Sequence, residues 1–155
     1  MFTIPLVTAV VVGWPEVFII LLMGCYLSNI RKLNIYKITL IACIQAIITY
    51  ETRKFSLVFG IHTLIHMVTL SLLVYFILNI SFHKAVISVL IGTVLEGMVQ
   101  SIMLPCIFNF YSIDASSLAQ NSKYVPLCFI PIFIVSCLFI LVIKKFNILI
   151  WDVEK

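Results

Sequence analysis

Glu16, His62, His66 and Glu96 are ionisable side chains set inside long apolar stretches. Two imidazoles with two carboxyls could ligate a metal, pass a proton or hold a polar ligand. At bilayer depth such groups are costly, and they are kept where they face a bundle interior or a water-filled cavity. His62 and His66 are four residues apart, as are Glu96 and Gln100, so each pair shares one helix face. Two such faces meeting would form one polar cluster.

The elements that must position these residues are membrane helices. The chain has 155 residues, of which 63% are hydrophobic and 10% charged. That apolar fraction exceeds the ~45–50% of a soluble domain, and so short a chain cannot bury it in a globular core. Lipid is the expected solvent. A spanning helix needs ~20 mostly apolar residues. Five segments qualify, giving an all-α integral membrane bundle in a single domain, residues 1–155. They are 4–28, 35–50, 56–78, 84–108 and 125–143, with a polar loop at 109–123. The first is interrupted by Gly13-Trp14-Pro15-Glu16, where proline is expected to kink or restart the helix. No basic segment precedes it, so a retained helix is expected rather than a cleaved signal.

One side of the membrane collects Arg31, Lys32, Lys37, Lys84, Lys144, Lys145 and Lys155; the other collects Arg53, Lys54 and Lys123. The positive-inside rule then sets the N-terminus outside, the C-terminus inside and the 109–123 loop outside, in the cell membrane. Helices rise ~1.5 Å per residue. This places His62 roughly 9 Å and His66 roughly 15 Å from the outer edge, with Glu96 roughly 18 Å and Glu16 roughly 20 Å from the cytoplasmic edge. Glu16, His62, Glu96 and Gln100 therefore share the outer half, and Gln45 lies near the midplane. Arg53 stands at the mouth of this group. The expected ligand-binding cluster is Glu16, Arg53, His62, His66, Glu96 and Gln100. Gln45 and Gln100 read more simply as hydrogen-bonding staples between helices. Phe55, Phe59, Tyr75, Phe76, Phe110, Tyr111 and Tyr124 fall where an anchoring aromatic belt would.

Several chemistries fit poorly. The two His lack the Glu of a HExxH hydrolase, so neither a metal site nor any other cofactor is expected. The net charge of +4 lies at helix ends, with no basic run longer than two residues, which excludes a nucleic-acid surface. Cys25, Cys43, Cys106, Cys128 and Cys137 have no paired spacing and read as small buried hydrophobes. Arg53 followed by Gly60-Ile61-His62 resembles the membrane peptidases that process quorum-sensing propeptides. Those carry a catalytic Cys two helical turns after the His; Thr69 stands there, so the nucleophile is missing and no catalytic residue is assigned. A proton-coupled carrier would also use buried Glu and His, yet no paired repeat is visible. A small transporter subunit or substrate-binding component is the first alternative, and a peptidase-like protein lacking its Cys the second.

A wider pattern spans nearly the whole chain. Trp14-Pro15-Glu16 opens an apolar run, Arg53 precedes Phe59-Gly60-Ile61-His62-Thr63, Leu95-Glu96 lies in the fourth helix, and Leu104-Pro105 lies at its end. This resembles the N-terminal membrane sensor region of Firmicutes-type sensor histidine kinases of the GHKL and sporulation-phosphotransferase-like classes. The accessory-gene-regulator kinases that detect peptide pheromones belong to this group. The resemblance implies a non-catalytic receptor module for an extracellular or membrane-dissolved signal, either a peptide or a small molecule. The sequence holds no phosphoacceptor-His segment and no glycine-rich nucleotide-binding box, so kinase activity is not expected of it. The partners implied are membrane lipid, a cytoplasmic kinase or another membrane protein, and a second copy of the chain.

Overall fold

A computed structural model of the chain describes residues 6–30, 33–53, 61–112 and 124–151. These residues form five α-helices: α1 (Leu6–Leu27), α2 (Ile35–Arg53), α3 (Ile61–Leu78), α4 (Phe82–Tyr111) and α5 (Tyr124–Phe146). Among the described residues no strand occurs. Pro15, Pro105 and Pro131 lie inside α1, α4 and α5 without ending them, so the restart expected at Pro15 does not occur. Helix ends also differ from the expected bounds. α2 runs on to Arg53, α4 gains residues at both ends, and the expected start of the third helix at 56 lies outside the described residues.

Asparagine closes three of the helices. Asn29, Asn79 and Asn147 have φ of 61°, 55° and 48° just past α1, α3 and α5, and Ser112 has φ 52° after α4. The left-handed turn is strained for most residues but accessible to Asn. After α1 it lets Ile30 N–H reach Cys25 O at 2.9 Å and Asn29 N–H reach Tyr26 O at 3.3 Å. This pair of bonds satisfies carbonyls the helix would otherwise orphan. Ile148 N–H closes α5 in the same way on Ile143 O at 3.1 Å.

α1 packs on α2, α4 and α5. α1, α2, α3 and α4 pack as a ring, and α5 seats in the groove between α1 and α4. Val17, Ile20 and Leu21 of α1 are buried against Ile38, Ile41 and Ala42 of α2, Leu70 and Val74 of α3, and Ala85 and Val89 of α4. On the other side Ile19, Met23 and Leu27 meet Ile140 and Ile143 of α5. Higher up, Val99 and Ile107 of α4 pack on Cys128 and Ile132 of α5.

The tightest crossing joins α1 to α4. A Cβ added at Gly24 would collide with the Ser88 carbonyl oxygen, and one added at Gly92 would collide with the Ile20 carbonyl oxygen. The two backbones therefore touch, as small residues allow between membrane helices.

Four of the five helices are long and apolar enough to cross a membrane: α1, α3, α4 and α5. The exception is α2, expected to be a fifth span. Its 19 residues include Lys37, Gln45, Glu51 and Arg53, which lower its mean hydropathy. Large apolar side chains remain exposed on the outer faces, among them Leu64, Val68 and Phe76 of α3 and Met98 and Ile102 of α4. Such faces suit lipid. The same geometry corrects the reading of the cysteines. Cys25 and Cys128 are buried, but Cys43 and Cys106 are exposed on the outside of the bundle, where apolar residues need no protein partner. Rings cluster at opposite ends of α4: Tyr75 packs edge-on against Phe76 and Phe82 at 4.9 and 5.9 Å, and Phe110 against Tyr111 at 5.2 Å.

Candidate functional site

The glycine crossing sets the depth of the carboxyl groups. Glu16 lies one turn from Ile20 on α1, and Glu96 one turn from Gly92 on α4. Because Ile20 and Gly92 touch through their backbones, the next turn along must bring Glu16 and Glu96 close to one another. Gln100, a further turn along α4, bridges them. Its Nε2 donates to Glu16 Oε1 at 2.8 Å and makes a longer contact of 3.5 Å to Glu96 Oε1. The amide nitrogen carries two protons, one for each carboxyl. Glu96 is 1% exposed, and its other oxygen accepts from Ser136 Oγ of α5 at 2.8 Å. One hydrogen-bonded chain, Glu16–Gln100–Glu96–Ser136, thus ties α1, α4 and α5.

A second network joins α2 to α3. Gln45 is fully buried, and its Nε2 lies 3.1 Å from His66 Nδ1, 3.3 Å from His66 O and 2.9 Å from Thr69 Oγ1. Thr49 Oγ1 is also 3.1 Å from His66 Nδ1. An amide nitrogen can only donate, so in the Gln45 contact Nδ1 is the acceptor. Thr69 donates in turn to Ile65 O at 2.8 Å. Gln45 Oε1 is buried without a partner among the described residues, which leaves this network incomplete in a low-dielectric surround.

Between the two networks lies a half-open cavity of about 350 Å³. α1 supplies Glu16 and Ile20, α2 Thr49, α3 His62, Thr63 and His66, and α4 Thr93, Glu96, Gly97 and Gln100. Apart from Ile20 and Gly97, every lining side chain is polar. A Cβ at Gly97 would meet nothing, so the missing side chain adds open space.

Five of the six residues expected to cluster, Glu16, His62, His66, Glu96 and Gln100, line this one cavity. The sixth, Arg53, ends α2, and its side chain lies outside the described residues. Within the site Glu96 bonds Ser136 and Gln100, while His66 bonds Gln45 and Thr49. Gln45 and Gln100 do hydrogen-bond between helices, but Gln100 is also part of the cavity wall. Sequence reasoning missed Ser136, Thr49, Thr63 and Thr93. Their hydroxyls are ordinary in membrane helices, where each can bond its own backbone, as Thr93 Oγ1 does to Val89 O at 2.8 Å.

Chemically the cavity presents two carboxyls, two imidazoles and several hydroxyls on four helices. Among the described residues no three His, Cys, Asp or Glu side chains gather as a metal site would need. The arrangement suits capture of a hydrogen-bonding ligand. Comparison with protein-family models, curated proteins and solved structures finds no match to the chain.

Proposed function

We propose that the chain is a membrane receptor module whose polar cavity captures an external or membrane-dissolved signal and relays it by repacking α5. The observation that carries this reading is the Glu16–Gln100–Glu96–Ser136 chain, which forms part of the cavity wall and also holds α5. A ligand that takes the Gln100 or Glu96 hydrogen bonds would compete with Ser136 and loosen α5. The requirement is different affinity for the two packings. The tail after α5 supplies a route onward. Ile150 N–H and Trp151 N–H both donate to Leu27 O, at 3.0 and 3.2 Å, so the tail is pinned to the end of α1.

The proposal has five helices in the cell membrane, with the N-terminus outside and the tail in the cytoplasm. α2 counts as the fifth on the strength of its exposed Ile35, Leu40 and Ile47, which would face lipid. A cytoplasmic kinase or another membrane protein would read the tail.

The test uses the protein in liposomes, with a cysteine at Leu149 replacing the native five. Thiol labelling of the tail should rise several-fold in Gln100→Leu and Ser136→Ala relative to the parent. Unchanged labelling in both variants overturns the relay. Proton or solute flux through the parent protein replaces it with a carrier.

A further inference from the structure

Two residues of the polar cavity's lining are exposed, Thr63 of α3 and Gly97 of α4. They mark a side opening between these two helices. Gly97 stands at the middle of α4, roughly 21 Å from either end at ~1.5 Å per residue. In a membrane-spanning α4, an opening at that depth faces hydrocarbon. Its rim suits such a setting, because Val94 and Met98 near Gly97 and Leu64 beside Thr63 are exposed and apolar.

The opening leads onto an apolar groove of about 220 Å³ along the same seam between α3 and α4. Met67, one turn beyond Thr63, and Leu90, one turn before Thr93, both line it. On each helix the groove therefore begins where the cavity ends. It follows α3 as far as Leu72, and Ser71 is the one polar residue in its described lining. The Ser71 hydroxyl is satisfied by Met67 O at 2.7 Å, which leaves an apolar wall.

The cavity offers acceptors that no described residue uses. Glu16 Oε1 accepts from Gln100 Nε2 at 2.8 Å, but Oε2 has no donor among the described residues, and the Thr63 hydroxyl makes no hydrogen bond among them. Neither Lys nor Arg lines the cavity among the described residues. An ammonium group, with three N–H donors and a positive charge, supplies what is missing. We infer that the signal of the proposed receptor, a reading on which this inference rests, is a membrane-dissolved long-chain primary amine. Its head binds at Glu16 and Thr63, and its hydrocarbon chain lies in the α3–α4 groove. In the proposed orientation α3 runs inward from Ile61, so the head is outermost and the chain deeper, as for an amphiphile of the outer leaflet. An ammonium at Glu16 competes with Gln100 for that carboxyl, the first link of the chain to α5.

The experiment is equilibrium binding of radiolabelled dodecylamine to the protein in nanodiscs, with binding to empty discs subtracted. Saturable binding is expected. A hydrogen bond to a charged group is worth roughly ten- to hundredfold, so Glu16→Gln should weaken binding at least about tenfold. Gly97→Trp, which fills the side opening, should abolish it. If that variant folds poorly, Gly97→Cys in the protein without its native cysteines, capped by a bulky maleimide after folding, blocks the same place. At equal total concentration butylamine, which has the head without the chain, should compete more than about a hundredfold more weakly. Dodecyltrimethylammonium, which has the charge and the chain but no N–H, should compete at least about tenfold more weakly. Absence of saturable binding overturns the inference, as does equal competition by either analogue or undiminished binding to Glu16→Gln. Thiol labelling at Leu149→Cys in the same discs separates this inference from the relay. Amine that binds without changing the labelling overturns the relay alone, and labelling that rises in Gln100→Leu while no amine binds overturns the amine alone.

Discussion

Gly92→Ala and Gly97→Ala are the same substitution, five residues apart on α4, and the structure assigns them opposite effects. At Gly97 an added methyl meets nothing within 4 Å. Alanine there gains helix propensity, worth up to about 1 kcal/mol. At Gly92 the methyl collides with the Ile20 carbonyl oxygen, and the Ile20 carbonyl carbon and Gly24 nitrogen stand at 3.0 and 3.2 Å. All three obstacles are backbone, so none can rotate aside. α1 and α4 must separate, at the 1–3 kcal/mol typical of overpacking, which leaves a net loss of up to about 2 kcal/mol after the propensity gain. Gly24→Ala meets the Ser88 carbonyl in the same way. Both changes demand the same separation of the same two helices, so their costs should not add. The double variant should lose at least about 1 kcal/mol less than the sum of the singles. The assay is reversible unfolding in mixed detergent micelles, followed by helical circular dichroism. If Gly92→Ala proves as stable as Gly97→Ala, or if the two costs at Gly24 and Gly92 add, the backbone contact between α1 and α4 is not as described.

The polar chain can be tested through its links. Glu96→Met with Ser136→Ala, measured singly and together, should show a coupling of about 0.6 kcal/mol, the average for interhelical hydrogen bonds in membranes; no coupling in the cycle would show that α5 is not held there. A cysteine at Thr63, in a protein without its native five, should react with a charged thiol reagent added outside and be shielded by Gly97→Trp, which fills the space left open at that glycine; labelling only from the other side would reverse the proposed access. At the far end of the bundle, Ile150→Pro removes one of the two N–H donors to Leu27 O and should raise thiol labelling at position 149 severalfold, while leaving helix content unchanged.

Glu96 and Ser136 stand between the polar cavity on one side of α4 and an apolar groove between α4 and α5 on the other. In the proposed relay, a ligand in the cavity would compete for this hydrogen bond.

Much of the candidate site is legible in the sequence because helical periodicity is local. Spacing of four puts His62 with His66 and Glu96 with Gln100, and depth along the helices puts both pairs at a similar level. The hydroxyl partners escape such reasoning. Ser136 is one small polar residue in an apolar helix, and only the docking of α5 makes it the donor to Glu96. Gln45 and His66 are 21 residues apart, and their meeting depends on how α2 and α3 pack. Proline in the sequence suggests an interruption of α1, yet the helix continues through Pro15. Neighbouring helices and local adjustments can satisfy the backbone groups that proline frees.

By itself the sequence determines that this protein is helical, that most of its helices are apolar enough to cross a membrane, and which side chains are too polar to face lipid. Those properties follow from composition and from the 3.6-residue period, which act within each helix. The tertiary structure decides which polar faces meet, and it does so through contact at backbone distance. Gly24 and Gly92 let α1 and α4 touch, the turn beyond them brings Glu16 to Glu96, and Gln100 completes the bridge. Neither glycine carries any chemistry, so nothing in its own residue type announces that it places two carboxyl groups side by side.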